Sequence, residues 1–209
     1  AQHPAQDHPQ DRALLALAEA RVPRYTSYPT AAQFGALEEA RYRDWLRQGV
    51  RPDDTLSLYV HVPFCRELCW YCACHTKPTR SAARIRAYTE ALLAEVALLA
   101  ESLPPHAGVS HLHLGGGTPS ILGAEGLGAL LAALRERFHI RDDAELAIEL
   151  DPRLLDEALA GALAGMGFNR ASLGVQDIAP EVQSRIGRPQ PAEQVARAMK
   201  WLRAAGIGG

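Results

Sequence analysis

The sequence predicts an α/β fold built from parallel βα repeats. Two observations indicate it: short β-branched or apolar runs recur from residue 56 onward, and Ala- and Leu-rich amphipathic stretches separate them. The alternation occurs four times in succession. Strands connected by helices in this way pair in parallel through right-handed crossovers, and so the sheet is expected to be open or to curl toward a barrel.

Four βα units are predicted between residues 56 and 205. The predicted strands are Leu56–Val62, His111–Leu114, Glu145–Leu150 and Arg170–Val175. The predicted helices are Ala82–Ser102, Ala124–Phe138, Leu154–Met166 and Pro191–Ala205. No repeated sequence accompanies the four units, so the units repeat in structure and not in sequence.

A different kind of segment precedes the repeats. Residues 1–12 are rich in Gln, His, Pro and Asp, a composition typical of poor order, and helical patterns follow over Ala13–Ala20 and Leu37–Gln48. Residues 21–30 contain two prolines and no apolar period. The predicted organisation is a mostly helical and irregular N-terminal arm over residues 1–50 and a main domain over residues 51–209.

Composition and charge exclude several classes of protein. With 47% hydrophobic and 22% charged residues, the chain has the composition of an ordinary globular protein. The net charge of -2 comes with no basic stripe, which argues against nucleic acid as a partner. No run approaches the roughly 18 apolar residues of a membrane span, and the start lacks a signal-peptide pattern. A cytoplasmic protein is expected.

All four cysteines lie within ten residues, which is too tight for an ordinary disulfide framework. Cys65, Cys69 and Cys72 form a C-x3-C-x2-C arrangement just beyond the first predicted strand. Thiolates at these spacings can surround one face of a cubane iron-sulfur cluster and leave one iron open. A zinc site that adds Cys74 or His75 to the same three thiols is the alternative.

The other chemically suggestive segments follow the remaining strands. In parallel α/β folds, ligands bind at the carboxyl ends of the strands. The segments found there are the cysteine loop, Gly115–Pro119, Glu149–Asp151 and Gln176–Asp177. All four are therefore expected to share one rim of the sheet.

These motifs resemble a known family. The cysteine motif is similar to the signature of the radical S-adenosylmethionine (radical SAM) superfamily, and Gly115–Pro119 is similar to its companion glycine motif. The segments that together resemble the oxygen-independent coproporphyrinogen III oxidases are Arg24–Thr30, Tyr59–Cys65, Cys74, Glu149–Arg153 and Gly174–Asp177. Ala73 departs from that pattern, in which glycine occupies the position.

The resemblance implies roles for the cysteine loop. Cys65, Cys69 and Cys72 would hold a [4Fe-4S] cluster, with the amino and carboxylate groups of S-adenosylmethionine on the fourth iron. Cys74 would then not be a ligand. Tyr59 would lie beside the cluster and cofactor as a catalytic residue, although a tyrosine in a strand is equally explained by packing.

The resemblance also implies cofactor contacts at the other strand ends. Gly116, Gly117 and Thr118 would bind the methionine end of S-adenosylmethionine, although three glycines alone indicate only a tight turn. Glu149 would accept hydrogen bonds from the ribose hydroxyls; the alternative is a solvated carboxylate at a strand end. Gln176 and Arg188 match family positions that contact a second S-adenosylmethionine molecule, although Arg188 is also explained as a surface charge.

The implied activity is the conversion of coproporphyrinogen III to protoporphyrinogen IX. A 5'-deoxyadenosyl radical would start the oxidative decarboxylation of two propionates to vinyl groups, with an electron donor and an electron acceptor of unidentified nature. Arg21 and Arg24 in the arm are expected to help cover the substrate carboxylates. The family resemblance favours a monomer. The alternatives are another radical SAM enzyme, haem-related or a methyltransferase, and a zinc-binding interaction domain.

Length sets one further expectation. The resemblance implies a fold with a six-unit partial barrel followed by a C-terminal domain. This sequence contains the first four of those units. The 209-residue chain is therefore expected to be a fragment that is inactive by itself.

Overall fold

The structure, a computed structural model, describes residues 30–208. The chain divides after Glu39 into two units. In the first unit, the described part contains a short 3-10 turn at Ala31–Gln33, where the backbone N–H of Gln33 donates to the carbonyl of Thr30 at 2.8 Å. The predicted helix Ala13–Ala20 and the arm arginines lie outside the described residues. The predicted arm boundary at residue 50 stays a prediction.

The sheet has the predicted parallel topology. The described strands, in chain order, are β1 (Leu56–Val62), β2 (Phe64–Cys65), β3 (Lys77–Pro78), β4 (Val109–Gly116), β5 (Ile140–Leu150) and β6 (Arg170–Leu173). Four of them form one sheet in the order β1-β4-β5-β6, and every neighbouring pair is parallel. The predicted α/β fold is therefore confirmed. The pair β2 and β3 forms a separate small sheet that the sequence did not predict.

Helices connect the strands. The described helices are α1 (Glu39–Gly49), α2 (Ala82–Ser102), α3 (Gly123–Arg137), α4 (Glu157–Gly165), α5 (Pro180–Arg185) and α6 (Ala192–Ala204). None of the helices in this part of the chain has the length and apolar character that a bilayer-spanning segment needs.

The two faces of the sheet differ in polarity. Along β1, Val60 and Val62 are buried whereas Tyr59 is exposed, which is the period-two pattern of a half-buried strand. The apolar face, extended by Leu112 of β4 and Ile148 of β5, packs in one core with helices α2, α3 and α4. Each fully buried leucine or isoleucine contributes about 2 kcal/mol of hydrophobic free energy. The opposite face is polar, and its strand ends form the candidate site.

Several element boundaries differ from the predictions by one or two residues, as in β4, which extends over Val109–Gly116 rather than His111–Leu114. The two largest differences have identifiable reasons. Strand β5 begins at Ile140 rather than Glu145, because Ile140 is already in register with Val109 of β4 despite the polar residues between them. Helix α4 begins at Glu157 rather than Leu154, because the Asp156 carboxylate caps its first turn. The short helix α5 was not predicted.

The chain continues beyond α6 alongside β6. Gly208 forms a parallel bridge with Arg170, and its carbonyl accepts from the backbone N–H of Ala171 at 2.9 Å. The next backbone segment thus returns to the sheet in the same direction as the four strands before it.

Candidate functional site

The carboxyl ends of the four strands surround a cavity of about 310 Å³. Nine of the ten predicted site residues line it. Eight come from the four predicted segments, namely Cys65, Cys69, Cys72, Gly116, Gly117, Thr118, Glu149 and Gln176, and the ninth, Arg188, lies beyond them in the sequence. Tyr59 is not in the lining. The expectation that these segments share one rim is therefore confirmed.

A small sheet closes the cysteine loop at its base. Cys65 ends β2 and is in register with Pro78 of β3, and the backbone N–H of Thr79 donates to the Cys65 carbonyl at 2.8 Å. Two residues earlier, the backbone N–H of Lys77 donates to the carbonyl of Pro63 at 2.8 Å. Strands of two residues carry no periodicity, which is why the sequence did not reveal them. Their pairing fixes both ends of the loop formed by residues 66–76.

Two of the three predicted ligand sulfurs already have hydrogen-bond donors. The Cys65 Sγ accepts from the hydroxyls of Thr76 and Thr118, at 3.4 Å and 3.5 Å. The Cys69 Sγ accepts from Nη1 of Arg188 at 3.3 Å. Donors of this kind stabilise negative charge on sulfur, which is the form in which cysteine binds metals.

The donor set fits an iron-sulfur cluster. Within residues 30–208, no three His, Cys, Asp or Glu side chains converge around a position for a single metal ion. A cubane cluster attaches each thiolate to a different iron, so that its three cysteine ligands need not converge on one metal position. Cys65, Cys69 and Cys72 are half-buried on the cavity wall, and Cys74 is exposed.

The glycine turn after β4 brings backbone close to the cysteine loop. A Cβ at Gly117 would lie 2.5 Å from the carbonyl oxygen of Phe64 and 2.5 Å from Oγ1 of Thr76. Its backbone N–H donates to the carbonyl of Val62 at 2.8 Å. Only glycine fits here, and its absence of a side chain leaves the backbone open to the cavity.

Glu149 connects the ends of β4 and β5. Its carboxylate accepts from Nε2 of His113 at 3.2 Å and from the backbone N–H of Gly116 at 3.1 Å. The sequence analysis did not predict the contact between His113 and Glu149, because the two residues are 36 positions apart.

Tyr59 lies outside the cavity lining and contacts His113, the hydrogen-bond partner of Glu149. Its ring stacks on the His113 ring with centroids 5.7 Å apart, and its hydroxyl lies 3.1 Å from Nδ1 of His61. Partial desolvation of the phenol, and then the negative charges of Glu149 and Cys74, raise the pKa of Tyr59. The phenol therefore keeps its proton at neutral pH and can act as a hydrogen-bond donor.

A buried ionic group supports the β6 side of the cavity. Nη2 of Arg188 lies 3.2 Å from Oδ1 of Asp151 and donates to the carbonyl of Gly174 at 2.8 Å. Arg153 binds both oxygens of Asp151. Burial acts to raise the pKa of Asp151, but the hydrogen bonds from Arg153 and the charge of Arg188 outweigh it and hold that pKa below its ordinary value. Asp151 is therefore ionised.

Gln176 adopts a strained backbone conformation at the cavity wall. Its φ of 65° is the one positive value among the described residues other than glycine. Such a conformation costs about 1 kcal/mol or more and persists only where the surrounding structure imposes it. Strain of this kind clusters at functional sites.

The family profile described as the radical SAM superfamily matches residues 59–209, which is most of the chain. The chain belongs to the radical SAM superfamily. Membership implies a [4Fe-4S] cluster and S-adenosylmethionine as cofactors. The three thiols, the glycine turn and the open cavity between them fit both groups.

Individual relatives show which members of the superfamily this chain is similar to. An oxygen-independent coproporphyrinogen III oxidase from Paracoccus denitrificans is 48% identical over 194 residues, which cover 92% of this chain and 43% of the relative. One from Bradyrhizobium diazoefficiens is 47% identical over 192 residues, which cover 91% and 42%. The chain therefore spans less than half of the length of these relatives.

A solved structure supports the same placement. Coproporphyrinogen III oxidase (HemN) from Escherichia coli, a radical SAM enzyme, is 38% identical and matches with a TM-score of 0.82. The match covers 92% of this chain and 43% of that one. The radical SAM fold predicted from the cysteine and glycine motifs is thus confirmed.

Proposed function

We propose that this chain forms the cofactor-binding part of an oxygen-independent coproporphyrinogen III oxidase. The reaction is the oxidative decarboxylation of two propionates of coproporphyrinogen III to vinyl groups, which gives protoporphyrinogen IX in porphyrin and haem biosynthesis. One observation carries the proposal: three thiols, a glycine turn and a strand-end carboxylate line one cavity in a chain 48% identical to a relative of that name.

The cysteine loop and the glycine turn would bind the cofactors. Cys65, Cys69 and Cys72 hold the cluster through thiolate sulfur, and the backbone of Gly116–Thr118 binds the methionine end of S-adenosylmethionine. When bound, the two cofactors supply the radical chemistry that removes a hydrogen atom from a propionate. The chain's part is to position the groups and to exclude water from the space between them.

Side chains around the cavity would orient the nucleoside. Glu149 accepts hydrogen bonds from ribose hydroxyls, and His113 and the Gly116 N–H fix its carboxylate for that purpose. Tyr59, protonated at neutral pH, donates at the edge of the same site. Gln176 and Arg188 line the far wall, where a second S-adenosylmethionine molecule would bind.

The remaining partners follow from the reaction. An electron donor reduces the cluster and an electron acceptor takes the surplus electron of each decarboxylation. Four unpaired thiols suit a reducing compartment, which supports the cytoplasm as the location. A monomer is proposed on family resemblance.

Anaerobic reconstitution with iron and sulfide tests the cofactor assignment. We expect four irons and four sulfides per 209-residue chain, with the electron paramagnetic resonance (EPR) signal of a reduced [4Fe-4S] cluster after dithionite treatment. Cys65→Ser, Cys69→Ser and Cys72→Ser should each abolish that signal, whereas Cys74→Ser, the matched change at a fourth thiol, should retain it. A colourless protein that binds one zinc and no iron would overturn the proposal.

Substrate conversion needs a chain of the relatives' length. A hybrid in which these residues replace the matching segment of the Paracoccus denitrificans relative should form protoporphyrinogen IX from coproporphyrinogen III. The unmodified relative is the positive control and the hybrid carrying Cys69→Ser is the negative control. A hybrid that holds the cluster and cleaves S-adenosylmethionine without decarboxylating the porphyrinogen would contradict the assigned substrate.

A further inference from the structure

We infer that Arg188 tunes the reduction potential of the cluster by donating a hydrogen bond to the thiolate of Cys69. The inference rests on the proposed function, because it requires a cluster on Cys69. Arg188 would act through that ligand and is therefore a positioning residue. This role is separate from contact with a second S-adenosylmethionine molecule.

One of the two terminal nitrogens of the Arg188 guanidinium group makes the contact with Cys69. Nη1 lies 3.3 Å from the Cys69 sulfur, while Nη2 donates to the Gly174 carbonyl and pairs with Asp151. The planar fork thus divides its two terminal nitrogens between a cluster ligand and the protein framework. A lysine has one ammonium group and cannot reproduce this division.

The framework holds the guanidinium in place. Arg188 is only 8% exposed, and Asp151, at 7%, is itself fixed by two bonds from Arg153. On the other side of the contact, the backbone N–H of Trp70 in the cysteine loop donates to the carbonyl of Ile186 at 3.0 Å. The cysteine loop and the segment that carries Arg188 are therefore joined at two points.

The close approach of that segment also depends on a glycine. Gly187 has a φ of +66°, and a Cβ there would lie 2.8 Å from Nε1 of Trp70. The indole ring thus packs directly against the backbone that precedes Arg188. This packing keeps the arginine within hydrogen-bond reach of the loop.

The charge of Arg188 is not cancelled by its acidic partner. Asp151 is shared with Arg153, so that the three groups, two positive and one negative, carry a net charge of +1 beside the Cys69 sulfur. Hydrogen bonds to cluster sulfurs and nearby charge are established determinants of cluster potential. The reduced cluster carries one more electron than the oxidised cluster, so a positive donor stabilises it more and raises the potential.

The cysteine ligands differ in the hydrogen-bond donors that their sulfurs receive. The donors to Cys65 are the neutral hydroxyls of Thr76 and Thr118, at 3.4 Å and 3.5 Å. The donor to Cys69 is charged and largely removed from water, where electrostatic effects are stronger. Among the described donors, Arg188 is therefore the one expected to move the potential most.

An EPR-monitored redox titration of the reconstituted 209-residue chain tests the inference. At a fixed applied potential, Arg188→Met should lower the ratio of reduced to oxidised cluster at least tenfold, which is about 59 mV for a one-electron couple. Arg188→Gln and Arg188→Lys should each lower it less. The matched control is Arg185→Met, which removes the same charge from an exposed position in α5 and should change the ratio less than twofold.

A variant that is expected to shift the reduction potential in the opposite direction separates tuning of the potential from structural damage. Asp151→Asn removes negative charge while the Gly174 carbonyl still holds the arginine donor, and should raise the potential. A fall for Arg188→Met together with a rise for Asp151→Asn supports the inference. Shifts of the same sign in both variants, or Arg188 variants that all titrate within twofold of the parent, would overturn it.

Two further outcomes are also decisive. If Arg188→Met does not fold, as judged by circular dichroism, the Gln and Lys variants still test the inference, since each retains a polar group for Asp151. If the parent chain takes up no iron and sulfide, the proposed function fails before the inference is reached. The iron content and the potential therefore distinguish the two failures.

Discussion

Asp151 and Arg153 form a buried two-point ion pair, with Nε 3.0 Å from Oδ1 and Nη2 2.7 Å from Oδ2. The same spacing of two residues recurs in the pair Asp143 and Arg141, with Nε 2.8 Å from Oδ1 and Nη2 2.9 Å from Oδ2, but that pair is exposed. The chain thus contains the same interaction in two environments. Differences between the pairs measure the combined effect of burial and of the second arginine, Arg188, that pairs with Asp151.

Asp151→Asn is expected to destabilise the apoprotein by about 3 kcal/mol, because loss of one partner leaves buried arginine charge uncompensated. The free energy of unfolding, measured by urea denaturation at pH 7, checks this value. Asp143→Asn, the matched change in the exposed pair, should have a much smaller effect, since solvent screens that interaction. Equal losses in the two variants would contradict the importance of burial.

The contribution of Asp151 should also depend on pH. Its pKa in the folded protein is lowered from the ordinary value of 3.8, so its stabilisation is fully present above that value and is lost as pH falls through the folded pKa. The difference in unfolding free energy between the parent and Asp151→Asn should therefore be constant from pH 7 to about pH 5 and narrow below about pH 4. Urea titrations across this range provide the measurement, and a difference that widens in acid would refute the sign.

Gly117→Ala is expected to destabilise the chain by roughly 1–3 kcal/mol, because the new methyl group would clash with the Phe64 carbonyl. Thermal and urea unfolding of the apoprotein measure the loss. The control is Gly161→Ala in α4, where a Cβ meets nothing within 4 Å and helix propensity favours alanine. That variant should be unchanged or more stable. A stable Gly117→Ala protein would show that the glycine turn has room for a side chain.

Glu149→Gln is expected to weaken S-adenosylmethionine binding about tenfold, because a charge-assisted acceptor for the ribose becomes neutral. Equilibrium dialysis of labelled S-adenosylmethionine against the reconstituted chain gives the affinity. Glu145→Gln, a matched change four residues earlier on β5 at the exposed pair with Arg170, is the control and should bind normally. Equal affinity in both variants would remove Glu149 from the site.

Local patterns account for much of the fold. Strand β1 and helix α2 have the predicted bounds, because the first alternates strictly and the second begins directly after Ser81, whose hydroxyl caps it. The start of β5 was not predicted because of Arg141 and Asp143. Polar residues in a strand interrupt the apolar run without preventing backbone pairing. Pairing depends on the neighbouring strand, which a local pattern does not contain.

The site was predicted as a set of strand ends, but its internal contacts were not. Parallel topology alone brings Glu149 to the cysteine loop, so its place on the rim followed from the order of elements. The contact from Arg188 to Cys69 joins residues 119 positions apart, and no spacing rule connects them. The bond from His113 to Glu149 is of the same kind. Such contacts come from packing in three dimensions, which sequence periodicity does not predict.

The separation of Cys69 and Arg188 has a consequence for biogenesis. A ribosome adds about 5–20 residues per second, so the 119 residues between them take roughly 6–24 s to synthesise. Throughout that interval the nascent cysteine loop exists without its charged donor and without the Ile186 carbonyl that anchors Trp70. A cluster delivered during translation would meet an unsupported loop. Iron-sulfur insertion is therefore expected to follow folding of the fourth βα unit rather than to precede it.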